Sequence, residues 1–171
     1  MSEKNRRKCP IAALCSVLGT LLLIVVIVLC IPLTLPKALG YMPYAVISGS
    51  MEPAISTGSL VYVKNVEPEM ILAEDVIAYY GGRDQDAVVT HRVVENQISR
   101  REFITKGDAN AANDMLPVSY HNLLGRVETS IPVLGYVAQL LTAREGKLVI
   151  ISVIGVAVVL HLIAAIINRQ K

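Results

Sequence analysis

Beyond Cys30 the chain contains no cysteine; its three thiols, Cys9, Cys15 and Cys30, all lie in or beside one apolar block near the start. A disulfide framework is therefore excluded for the central region, whose fold must rest on apolar burial. Net charge is also scarce: the 171 residues sum to +2, too little to argue for nucleic acid as a partner. Aromatic side chains are missing from both ends, every one lying between Tyr41 and Tyr136. Two common signatures are absent as well. There is no His-Glu-x-x-His zinc motif and no Gly-x-Ser-x-Gly nucleophile elbow. No internal repeat and no low-complexity linker interrupts the chain.

What is present in excess is apolar sequence, 53% of residues, gathered into two blocks. Ile11–Ile31 contains no charge, and at about 1.5 Å per residue its length matches the roughly 30 Å hydrocarbon core of a bilayer. Pro32 and Pro36 are expected to end this helix. The run is too long for the ~7–15 apolar residues of a cleavable secretory signal and lacks an Ala-x-Ala site behind it, so it reads as a retained anchor. Leu148–Ile167 forms the second block, with His161 its one titratable group, read as structural. Tyr41, Tyr44 and Tyr136 flank the blocks, where amphipathic rings favour the membrane interface.

Charge orients these spans. Lys4, Arg6, Arg7 and Lys8 precede the first, and Arg169 and Lys171 follow the second. The positive-inside rule then puts both termini in the cytoplasm and the mildly acidic centre outside. The organisation expected is a cytoplasmic tail (1–10), a transmembrane anchor (11–31), an extracytoplasmic domain (36–142), a second transmembrane helix (148–167) and a cytoplasmic tail (168–171).

The centre reads as mostly strand. Tyr44–Ile47, Leu60–Val63, Val76–Tyr80, Ala87–Val94, Glu102–Thr105 and Leu123–Thr129 are short runs rich in Val, Ile and Tyr, separated by polar turns. Such spacing predicts an antiparallel sheet or small barrel, with hairpin connections at Gly81–Asp86 and Asn96–Arg100. Ile131–Leu141, apolar with Pro132 and Gly135, is expected to return the chain to the membrane surface.

Three polar segments carry the chemistry: Ser48-Gly49-Ser50-Met51-Glu52-Pro53, Thr90-His91-Arg92-Val93-Val94, and the loop from Lys106-Gly107-Asp108 to Asp114. A serine hydroxyl becomes a nucleophile when a neighbouring base accepts its proton, and imidazole titrates near neutral pH. A carboxylate fixes the imidazole tautomer and stabilises its cation. Ser50, His91 and one of Asp108 or Asp114 supply these parts. Backbone N–H groups in the serine turn, with the Ser48 hydroxyl, are candidate oxyanion donors. His91, His121, Asp108 and Asp114 lack the close ligand pairs of a metal site, so no metal and no cofactor is expected. Lys106, beside Gly107, is read as structural or electrostatic rather than as the base.

These segments, in this order behind an apolar anchor, resemble the Ser–His branch of the type I signal peptidases, the branch found in the endoplasmic reticulum, in archaea and in some Gram-positive bacteria. The resemblance runs from the first anchor through Gly125-Arg126-Val127 to the second span. It implies Ser50 as nucleophile, His91 where the other branch carries lysine, Asp114 as the third triad member and Asp108 as a second important acid. Ala109 and Asn113 depart from the eukaryotic pattern, which leaves open which acid orients His91. The function implied is removal of N-terminal signal peptides from secreted preproteins after small-x-small sites, at a plasma membrane, by a membrane-bound serine endopeptidase. Preprotein signal peptides and the lipid bilayer would be its partners; accessory subunits stay open. Tyr44, Val46, Met51, Val88 and Thr90 are expected to bind substrate, an extended segment adding to a sheet edge with alternate side chains in shallow pockets. Two other readings compete. A double-anchored β-domain acting as a scaffold would use the same spans and sheet. A self-cleaving switch protease would need an internal Ala-Gly or Cys-Gly bond, and neither dipeptide occurs.

Overall fold

The computed structural model describes residues 10–81 and 87–169. It divides into two compact units, residues 1–32 with 140–171, and residues 33–139.

The first unit is helical. It holds most of α1 (Pro10–Ala38) and all of α3 (Arg144–Arg169), both long and apolar enough to cross a membrane, with mean hydropathies of 3.1 and 2.9 over their most apolar stretches. The helices meet through small residues. Ala12 and Gly19 are buried on α1, Ala157 and Ala164 on α3. A Cβ at Gly19 would stand 3.0 Å from the His161 ring and 3.1 Å from the Ala157 carbonyl oxygen, so glycine there allows the close approach. Their Leu, Ile and Val side chains mostly face outward, which suits an apolar surrounding rather than water.

Pro32 and Pro36 do not end α1 as expected; the helix continues to Ala38. Each proline removes one backbone donor and crowds the preceding turn, a local cost that packing can offset. Here Leu33, inside the extra turns, packs beside Tyr41, Leu60, Tyr62, Leu134 and Ala138. The helix stops instead at Gly40, whose φ of +84° and N–H bond to the Lys37 carbonyl (3.1 Å) make a left-handed cap.

The second unit is one seven-stranded antiparallel sheet, ordered β1-β2-β7-β3-β4-β5-β6. Its strands are β1 (Tyr41–Ala45), β2 (Leu60–Lys64), β3 (Val76–Gly81), β4 (Ala87–Gln97), β5 (Glu102–Lys106), β6 (Val118–Ser119) and β7 (Leu123–Ile131). In β2, Leu60 to Val63 are all buried, as befits a strand covered on both faces. Leu60 and Tyr62 face the Leu33–Ala138 cluster, whereas Val61 and Val63 join Met51, Ile55 and Ala78. A third cluster, with Ile77, Tyr79, Val93, Phe103 and Tyr120, fills the other side of β3 and β4. Register shifts between β2 and β7, β3 and β7, and β4 and β5 bend the sheet. At Gly125 (φ +149°) a Cβ would sit 2.2 Å from the Lys64 carbonyl oxygen, so only glycine fits this crossing.

The strands follow the sequence pattern with one displacement. The first runs Tyr41–Ala45, not Tyr44–Ile47, because its partner β2 sets the register, Tyr41 opposite Lys64 and Ala45 opposite Leu60. Pro43 is tolerated since β1 is an edge strand. Additional are β6, the helix α2 (Leu134–Thr142) within the stretch expected to return to the membrane, and two short 3-10 turns, Pro68–Met70 and Tyr120–Asn122. Of the expected Gly81–Asp86 connection, all but Gly81 lies outside the described residues, as do residues 1–9 and 170–171 of the two tails.

Candidate active site

The segment after β1 is a closed loop. Val46 and Ser59 pair across its neck (N–H to carbonyl, 2.9 Å), and the Gly58 N–H returns to the Val46 carbonyl (2.8 Å). Met51 and Ile55, 1% and 6% exposed, pin its inner side in the core. The Glu52 N–H closes a turn on the Gly49 carbonyl (3.1 Å), and the Glu52 carboxylate accepts from the Thr57 hydroxyl (3.2 Å). With Met51 fixed inward, Ser50 is half-buried at the rim and Ser48 exposed, their hydroxyl oxygens 3.4 Å apart.

His91 is buried in β4, opposite Ile77 of β3, with its ring edge-on to Tyr79. Its Nδ1 lies 2.6 Å from Asp114 Oδ2. An ionised carboxylate only accepts, so Nδ1 carries the hydrogen and the lone pair is left on Nε2. The same oxygen accepts from the Thr105 hydroxyl (2.6 Å) and the Tyr79 phenol (3.4 Å). Burial first, then the nearby Asp114 charge, pushes the Tyr79 phenol up to about 12, against the hydrogen bond to Thr105, so it stays protonated and able to donate. Asp114 is further fixed by its N–H bond to the Thr105 carbonyl (2.8 Å).

Asp108 does not reach His91 in this arrangement. It forms a two-pronged pair with Arg92, Nε to Oδ1 at 2.8 Å and Nη2 to Oδ2 at 2.6 Å. The guanidinium pKa is raised, chiefly by this hydrogen bonding to Asp108, against the opposing effect of burial. Arg92 also donates to the Glu74 carbonyl (2.8 Å). The sequence left two acids for one role, and the geometry gives them different partners. Between them the loop touches the serine turn: the Ala109 N–H donates to the Ser50 carbonyl at 2.9 Å. Gly107 is required there, since a Cβ would come within 2.6 Å of that carbonyl oxygen.

All five expected substrate-binding residues, Tyr44, Val46, Met51, Val88 and Thr90, line one cavity of about 230 Å³ together with Ser48 and Ser50. The cavity is mostly apolar and bounded by the exit of β1 and the start of β4. Val89 is shared with a second cavity, of about 510 Å³, onto which His91 and Asp114 open. Among the described residues no hydrogen bond joins Ser50 to His91. The structure thus brings together His91 with Asp114, Ser48 with Ser50, and the serines with the cavity. Sequence reasoning missed Thr105, Tyr79 and the pairing of Arg92. An inward-facing threonine in alternation with the buried Phe103 was the available signal for the first.

An imidazole bonded to a carboxylate thus stands on β4, and the loop that carries this carboxylate also bonds to the serine turn beside a small cavity. No family model matches the chain. Among curated proteins, signal peptidase I W of Bacillus subtilis is 44% identical over 91 residues, covering 52% of this chain. The chain spans about half the length of that relative, 47%. The signal peptidase complex catalytic subunit SEC11 of Verticillium alfalfae is 34% identical over 128 residues, 68% of this chain and 73% of its own length. Its counterpart in Neurospora crassa is 32% identical over the same shares. The chain belongs to the type I signal peptidase family.

Proposed function

We propose that the chain is a membrane-anchored serine endopeptidase that removes N-terminal signal peptides after small-x-small sites. Family membership supports the reaction; the observation that supports these residues is the 2.6 Å bond between His91 and Asp114 at a site tied by Ala109 to Ser50.

In the proposed reaction, His91 Nε2 takes the Ser50 proton as the hydroxyl oxygen adds to the scissile carbonyl. The Ser48 hydroxyl and a backbone N–H of the serine turn receive the oxyanion. Collapse breaks the peptide bond, and the imidazolium gives its proton to the leaving amine. The signal peptide is then held as an ester on Ser50. Water, deprotonated by His91, adds to that ester, and the serine leaves with the proton returned. Asp114 holds the ring and stabilises its cation throughout. Catalytic hydrogen bonds are often completed only with substrate in place, so the Ser50–His91 contact belongs to the loaded enzyme.

The small cavity suits small side chains. A segment laid between the β1 exit and Val88–Thr90 has two strand edges to bond and alternate side chains to bury. The two apolar helices would hold residues 36–142 outside a plasma membrane with both termini cytoplasmic, at the depth where a signal peptide emerges. Tethering there raises the effective concentration of the cleavage site.

The deciding experiment uses full-length protein in detergent with a synthetic preprotein and a serine-directed acylator. Acylation at Ser50, with processing lost in Ser50→Ala and His91→Ala but membrane insertion retained, is the expected result. Normal processing by Ser50→Ala would remove the assignment. Absence of labelling in a folded, intact protein would favour a scaffold.

A further inference from the structure

A third hollow, of about 260 Å³, is lined by Pro68, Arg100, Arg101, Ser119, Tyr120 and His121. None of these residues lines either cavity at the active site. Arg100 and Arg101 end the hairpin between β4 and β5; Ser119 closes β6, and His121 sits in the short 3-10 turn that follows.

Arg101 adopts φ +56°, a left-handed conformation where hairpins of this kind favour glycine or asparagine. A bulky residue held there costs backbone energy, which directs attention to what its side chain does. The guanidinium stands over the Tyr120 ring, 5.6 Å from its centre, and the Arg101 carbonyl accepts from the Tyr120 N–H at 3.0 Å. Tyr120 is itself buried, tilted on Phe103 and bonded through its hydroxyl to Asn96. The arginine is therefore held on a fixed platform. The Ser119 oxygen accepts from the His121 N–H (3.4 Å), which leaves its own hydrogen free to donate. Among the described residues neither guanidinium forms an ion pair. Two planar forks of N–H donors, an imidazole and a hydroxyl thus line one hollow whose lining holds no carboxylate.

We propose that this hollow binds a phosphate group. A phosphate offers several acceptor oxygens and up to two negative charges, which match guanidinium forks better than the single plane of a carboxylate does. A lipid headgroup and a soluble phosphate ester share this chemistry.

The test uses the full chain in a neutral detergent at constant ionic strength, following the thermal unfolding midpoint against two probes. One is inorganic phosphate; the other is a short-chain phosphatidylglycerol, with short-chain phosphatidylcholine as control. Wild type is expected to gain stability saturably. Arg101→Gly relaxes the backbone, so without ligand it should unfold no earlier than wild type, yet its apparent affinity should fall about tenfold or more. Arg100→Gln should weaken binding similarly. Tighter binding of phosphatidylglycerol than of inorganic phosphate assigns the site to a headgroup, and the reverse to a soluble ester. The proposal is overturned if neither probe gives a saturable response, or if both variants respond as wild type does.

Discussion

The two ends of the Gly107–Asp114 loop carry the same functional group and hold different partners. Asp114 lies against His91 on the Tyr79 side of β4, accepting from three side chains at one oxygen. Asp108 closes on Arg92, the next residue of the strand, whose side chain leaves by the other face. One acid is thereby joined to the His91 imidazole, the other to a permanent cation that anchors the loop. Two carboxylates six residues apart acquire distinct roles because a strand reverses its side chains at every step.

The sharpest way to break this comparison is at the ring itself. His91→Ala should lower processing by about 10⁴-fold or more while the domain stays folded, measured by preprotein cleavage and circular dichroism. Asp114→Asn should cost about 10²- to 10⁴-fold in kcat, because the amide favours the wrong tautomer. Asp108→Asn should spare kcat far more and register mainly as lost stability, about 1 kcal/mol for a partly exposed two-pronged pair, read by thermal unfolding. Equal kcat losses in the two acid variants would erase the distinction between Asp108 and Asp114. Thr105→Val should reduce kcat about tenfold through a misplaced Asp114, with Thr105→Ser restoring it.

A separate effect is expected on stability at high pH. The Tyr79 pKa is raised on folding from 10.0 to about 12, so its contribution is complete below pH 10 and is lost as pH rises through 12. Tyr79→Phe should flatten that part of the alkaline unfolding curve.

The sequence made legible what depends on local pattern. Alternating Val, Ile and Tyr marked six of the seven strands, and the three polar segments marked Ser50, His91 and both acids before any coordinates. What stayed hidden depends on partners distant in the chain. The true start of β1 follows from pairing with β2, and the two-residue β6 exists only because Glu102 and Phe103 offer an edge. The passage of α1 through Pro32 and Pro36 rests on Leu33 meeting Leu60 and Tyr62. Thr105 carries no motif; its task is visible only once Asp114 folds back over β5.

The bond from Ala109 to residue 50 is made to the peptide carbonyl, not to the hydroxyl. Replacing Ser50 by alanine therefore removes the attacking atom without loosening the loop's grip on that turn. A chain disabled in this way should keep its groove shaped for substrate, and so serve as bait for capturing uncut precursors and learning which ones it meets.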